Sequence, residues 1–364
     1  MLGISIYPGQ KKLSEILSYI DLAAQYGYGR IFTCLISEEG RSLQEVVADF
    51  RQITARARQH HMEIIADVAP QVFTTFGVRY DDLKFFADLG LSGIRLDLGY
   101  SGIEESIMSL NPYGLSIELN MSQGTRMLEN ILAQKPNKAR ILGCHNFYPH
   151  VYTGLGYEHF ITCSCQFRQQ GIRTAAFVNA PGADHGPWPV REGLCTLEMH
   201  RDLPIEVQAK HLFATGLIDD VIIANAFATE EELRTLAAVS PDILELRVET
   251  IAGISTVEKK ILFDELHFNR GDVSDYMIRS TQPRVKYKGE EFPAWHTPEL
   301  EPGDVVIESS LYDRYAGELQ IVRQSMPNSG KSNVVARVVP QEHFLLASIQ
   351  PWTKFRFQGA VPIE

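Results

Sequence analysis

The stretch MLGISIYPGQKKLSEILSYIDLAAQYGYGRIFTCLI, residues 1–36, holds one full structural period. Gly3 to Tyr7 is a short apolar run closed by Pro8-Gly9. Leu13 to Tyr26 then carries apolar residues at helical spacing, and Ile31 to Ile36 is apolar again. A strand, a helix and a second strand in this order predict a parallel pair, because the helix returns the chain to the end where it began. The turn Tyr7-Pro8-Gly9-Gln10 has no G-x-G-x-x-G, so nothing here marks a dinucleotide site.

The same period repeats outward from this unit. Further strands are predicted at Met62–Val68, Gly93–Leu98, Leu115–Leu119, Arg140–Cys144, Arg173–Val178 and Asp220–Ala224. Helices fit between them, including Ser42–His60, Tyr80–Leu89, Arg126–Gln134, Tyr157–Gln170, Ile205–Thr215 and Thr229–Val239. Eight such units in about 240 residues predict a closed (β/α)8 TIM barrel, where a doubly wound sheet would have five or six strands. After Pro241 the period fails. Residues 259–281 are polar and mixed, and short alternating runs follow at Asp304–Glu308, Glu318–Val322, Ser332–Val339 and Phe344–Ser348. They predict a smaller β-rich domain, with the barrel over 1–250 and the second domain over 251–364. Pro327 to Ser332, PNSGKS, ends like a phosphate-binding loop, but Ser325 stands where its first glycine belongs. In a strand–turn–strand context a hairpin turn is expected instead.

A formal net charge of −11 argues against a nucleic-acid or anionic-membrane partner, while a local arginine can still bind a small anion. The N-terminus lacks the basic segment and apolar run of a secretory signal, and no run approaches the ~20 apolar residues of a membrane span. The five cysteines, at 34, 144, 163, 165 and 195, have no zinc or redox spacing. Reduced thiols and a cytoplasmic location are expected.

In such a barrel, polar residues at the C-terminal strand ends converge on one mouth. These are Tyr7, Asp67, Arg95, Asp97, Glu118, Asn120, His145, Asn146, Asn179 and Asn225. Charge within a strand is costly unless paired, and residues two apart share a face, so Arg95 with Asp97 and Glu118 with Asn120 are informative. His145-Asn146-Phe147-Tyr148 suits a sugar, since rings stack on aromatic faces and amides read hydroxyls. The segment 179–204 is longer than a βα loop needs and reads as an ordered lid. It carries Trp188, His185, Arg191, Glu192, Glu198, His200 and Arg201 but no recognised metal-ligand spacing. Anion recognition by Arg191 or Arg201 is expected there.

The quoted residues carry a resemblance. Ile4-Ser5-Ile6-Tyr7-Pro8, Asp67-Val68, Ile94-Arg95-Leu96-Asp97, His145-Asn146-Phe147-Tyr148-Pro149, Glu192-Gly193-Leu194 and Thr196-Leu197-Glu198-Met199-His200-Arg201 together resemble the bacterial 6-phospho-N-acetylmuramidases. The likeness runs nearly the full chain. It implies a barrel joined to a C-terminal cyclophilin-like β domain. It also implies hydrolysis of 6-phosphorylated MurNAc-GlcNAc to MurNAc 6-phosphate and GlcNAc during cell-wall recycling, with no cofactor.

Glycoside hydrolysis needs a proton donor at the leaving oxygen and, in most families, a second carboxylate opposing it. Strand position makes Asp67 and Asp97 central, with Glu192 or Glu118 as the second carboxylate. A 2-acetamido sugar offers another course, supplying its own nucleophile while one acid orients the amide. The substrate's anionic groups call for Arg95, Arg191, Arg201 or Arg279. Tyr7, Asn120, His145, Asn146, Tyr148, Glu198 and His200 complete the expected binding set. Two alternatives stand beside this reading: a metal-dependent sugar-phosphate isomerase using Glu118, Asp97 and His145, and a non-catalytic binder of sugar or peptide.

Overall fold

The computed structural model of the chain describes residues 1–35, 43–183, 185–187, 190 and 192–360. They form two compact units, Met1–Leu212 with Gly216–Ala238, and Phe213–Thr215 with the chain from Val239 onward.

The first unit is a closed eight-stranded parallel barrel. Its strands are β1 (Leu2–Ile6), β2 (Arg30–Cys34), β3 (Glu63–Asp67), β4 (Gly93–Leu96), β5 (Ser116–Asn120), β6 (Ile141–Cys144), β7 (Arg173–Val178) and β8 (Asp220–Ile223). Each falls on a predicted run. The helices are less regular: Tyr80–Leu89 shrinks to Lys84–Asp88, and short helices at Pro70–Thr75 and Ile103–Ser109 follow β3 and β4. The second of these is capped by Gly102, whose φ of +106° suits glycine, and whose N–H donates to the Glu105 carboxylate at 2.8 Å.

Alternate residues of a strand point the same way, so Arg30, Phe32 and Cys34 of β2 enter the barrel at three depths. Arg30 is fully buried and spans to Glu118 on β5 and to Asp220 on β8, the latter at 2.6 Å. Phe32 meets Phe177 of β7 edge-on at 5.1 Å, and Phe147 packs on both rings. Cys34 opens onto the mouth. The barrel is therefore ionic below, aromatic in the middle and hollow above.

The second unit is a seven-stranded mixed sheet. In chain order its strands are β9 (Leu244–Thr250), β10 (His267–Phe268), β11 (Met277–Ser280), β12 (Asp304–Glu308), β13 (Leu319–Val322), β14 (Ser332–Val338) and β15 (Lys354–Gly359). Across the sheet they run β10-β15-β9-β14-β12-β13-β11. β9 lies between β15 and β14, so Leu244–Thr250 belongs to this sheet although a division at 250 leaves it with the barrel. Phe344–Ser348 is not a strand; it lies within a 3-10 helix, Pro340–Ser348, opened by its proline. PNSGKS is a turn closed by the Asn328 side chain, but not a hairpin, since β13 and β14 both pair with β12 rather than with each other.

Candidate active site

The barrel mouth holds a cavity of about 590 Å³. Its floor is ionic: Asp67 from the end of β3, Arg95 from β4 and Asp97 one residue past β4. Its walls are apolar and aromatic. Leu35, Val72 and Phe76 stand on one side, with Phe147, Tyr148 and Phe177 from the exits of β6 and β7. A concave apolar site with a few convergent charges is the usual form of a small-molecule pocket.

Arg95 organises the floor. Only 3% exposed, it donates from Nη1 to Asp67 at 3.1 Å and to Asp97 at 3.3 Å, and from Nη2 to the Asn146 side-chain oxygen. Asn120 donates to the Asp97 carboxylate at 3.2 Å. Burial pushes the Asp67 carboxyl above its ordinary value; the Arg95 charge opposes this and the Asp97 charge adds to it. A carboxyl so placed holds its proton at higher pH than a surface acid, as a proton donor must.

Asn146 and Tyr148 reach the cavity, as the sequence predicts. His145 does not. It is fully buried behind them, Nδ1 at 3.1 Å from Ser122 Oγ and Nε2 at 2.9 Å from Ser164 Oγ. Burial lowers its pKa to about 3, so the ring is neutral. Ser122 Oγ accepts the Asn146 N–H at 2.8 Å, so His145 is linked to Asn146 through Ser122 and does not itself line the cavity.

Other expected site residues are committed elsewhere. Glu118 leaves the site: it is fully buried on Arg30 in the ionic layer. The reason is strand tilt. Asp67, Arg95 and Glu118 share one register row, and in a tilted barrel such a row descends from strand to strand. Tyr7 is buried and its hydroxyl donates to the Ala224 carbonyl. His200 is buried against His211, Nε2 to Nδ1 at 2.7 Å. Arg279 lies in the second unit and donates to Glu318 at 2.9 Å. Arg191 and Trp188 lie outside the described residues.

Glu198 and Arg201 form a clamp. Glu198 takes two bonds from Arg201, at 2.8 and 2.6 Å, and the backbone N–H groups of Tyr152 and Gly154 at 2.8 and 2.7 Å. Arg201 first, then those N–H groups, hold the Glu198 carboxyl down at about 2. Arg201 also donates to the carbonyls of Tyr148, His150, Glu192 and Gly193. The pair staples the loop after β7 to the loop after β6 and shapes the wall carrying Tyr148. Gly154 makes this possible, because a Cβ there would lie 2.6 Å from Glu198 Oε2. Glu192 sits on the same seam, accepting the Val151 N–H at 2.9 Å.

Sequence reasoning missed Cys34 and the wall formed by Leu35, Val72 and Phe76. The alternation Arg30–Phe32–Cys34 carried the signal for the first and Leu35 lies in the same apolar run, but Val72 and Phe76 follow Asp67 in a segment without strand or long-helix periodicity. Among the described residues no group of three His, Cys, Asp or Glu is arranged to hold a metal ion. The set Glu118, Asp97 and His145 does not converge, since the first is on Arg30 and the last between two serines.

Residues 2–238 match the N-terminal domain, and 244–358 the C-terminal domain, of the 6-phospho-N-acetylmuramidase family. A crystal structure of an uncharacterized B. cereus protein is 48% identical with a TM-score of 0.91, over 98% of this chain and 99% of that one. A conserved protein from Enterococcus faecalis is 25% identical with a TM-score of 0.70, over 99% of this chain and 96% of that one. No match was found among curated proteins.

Proposed function

Because the chain belongs to the 6-phospho-N-acetylmuramidase family, and is thus a glycosidase, we propose that it hydrolyses 6-phosphorylated MurNAc-GlcNAc to MurNAc 6-phosphate and GlcNAc in cytoplasmic peptidoglycan recycling. One observation carries the reading: Asp67, its pKa raised, stands on the floor of a sugar-sized cavity walled by aromatic rings. Asp67 gives its proton to the glycosidic oxygen, and GlcNAc departs. Arg95 and Asn120 fix Asp97 beside it, while Asn146 and Tyr148 face the ring hydroxyls.

Arg95, Arg201 and Arg279 are each tied to carboxylates, so none of the three is assigned to the phosphate. The deciding experiment compares purified protein on phosphorylated and unphosphorylated MurNAc-GlcNAc, measuring released GlcNAc. Cleavage of the phosphorylated disaccharide alone is expected. Equal cleavage of both removes the phosphate from the specificity, and cleavage of neither removes the reading.

A further inference from the structure

From the placement of Asp67 and Asp97 we infer that the enzyme has no opposing carboxylate nucleophile and uses the 2-acetamido group of its substrate, with Asp97 orienting that amide. This rests on the proposed reaction at the same site and specifies its course.

Both carboxylates contact a single nitrogen, Arg95 Nη1, at 3.1 and 3.3 Å. A nucleophile and a proton donor working by direct displacement flank the anomeric carbon from opposite sides. Here the two acids come from neighbouring strands, Asp67 at the end of β3 and Asp97 just past β4, and the Arg95 guanidinium bridges them, so both meet the sugar from one side.

Among the described residues Asp67 and Asp97 are the acids that line the cavity. Glu118 is sealed in the ionic layer, and Glu192 is engaged by Val151 on the loop seam.

The two acids differ in a way that assigns their roles. Asp67 is the more enclosed, with 25% of its side chain exposed against 46% for Asp97. Asp97 accepts from Arg95 and Asn120, which fix its orientation and leave it acceptor capacity for a substrate N–H. Asp67 supplies the proton.

The step balances. The acetamido carbonyl oxygen bonds to C1 as the bond from C1 to the glycosidic oxygen breaks, and the Asp67 proton goes to that oxygen. The resulting oxazolinium keeps its N–H on Asp97. Water then adds to C1, its proton returns to Asp67, and the ring opens to the acetamide. Two displacements at C1 retain its configuration.

The test uses the full chain and aryl 6-phospho-muramic acid glycosides whose N-acetyl group carries zero, one, two or three fluorines. Fluorine weakens the carbonyl as a nucleophile, so kcat/KM is expected to fall along the series by ~10² or more. NMR of the first product should show the retained anomer. Asp97→Asn should lose ~10²-fold in kcat with the parent glycoside and flatten the fluorine dependence. Hydrolysis of the parent at a rate indifferent to fluorine, or an inverted product, overturns the inference while leaving the glycosidase reading intact. No hydrolysis of the parent glycoside or of MurNAc-6-phosphate-GlcNAc overturns the reading itself.

Discussion

Arg95 and Glu118 are register partners on neighbouring strands, yet they serve different layers of the barrel. Arg95 binds the two acids of the mouth, and Glu118 binds Arg30 beneath it. The difference separates the residues proposed to act on substrate from those that hold the ring closed.

Replacing Asp67, the proposed proton donor, tests the first group. Asp67→Asn should lower kcat on the phosphorylated disaccharide ~10²–10⁴-fold. Thermal melting should show a folded protein, because Arg95 keeps Asp97 and Asn146 as partners.

The same residue sets a pH dependence. As the proposed acid Asp67 must be protonated to act, so activity should decline as pH rises through its raised pKa, and the limb should vanish in Asp67→Asn. Stability moves in the same direction. A carboxyl whose folded value lies above its unfolded one favours the folded state at low pH. That contribution is lost as pH climbs from the ordinary carboxylate value through the raised one. Chemical denaturation of both proteins across this range checks the sign.

Glu118→Gln tests the second group. It leaves buried Arg30 with one carboxylate in place of two, and breaking a buried pair costs about 3–5 kcal/mol. Denaturant titration should show that loss. The kcat of the protein that stays folded should match the parent, which a catalytic Glu118 would not allow.

Glu198→Gln should loosen the seam between the two loops. Arg201 and the Tyr152 and Gly154 N–H groups hold its carboxyl down at about 2, and losing hydrogen bonds to a charged group of this kind costs about 1.5–3 kcal/mol at neutral pH. The contribution is complete above the unfolded carboxylate value and fades as pH falls toward 2. The melting temperatures of variant and parent should therefore differ at pH 7 and converge in acid.

The barrel was legible because each strand is an apolar run between helices, a pattern set by burial on both faces. Asp67, Arg95 and Asp97 were legible too, as charges at strand ends that only a mouth can accommodate. Glu118 and His145 misled for one shared reason. Distance along a strand does not fix depth in a tilted barrel, and an imidazole at a strand exit can turn inward onto serines as readily as outward. The second sheet was harder to read. β9 and β15 are parallel neighbours separated by about a hundred residues, and such pairing leaves no local turn for the sequence to announce.

The ionic layer has a bearing on how the ring can be assembled. Arg30 comes from the second strand, and its two carboxylates come from the fifth and the eighth. A cut between the fourth and fifth strands would therefore put the cation on one fragment and both anions on the other. Each fragment would carry charge it cannot bury alone, so the two halves are complements by electrostatics as well as by shape, and their recombination should weaken as salt is added.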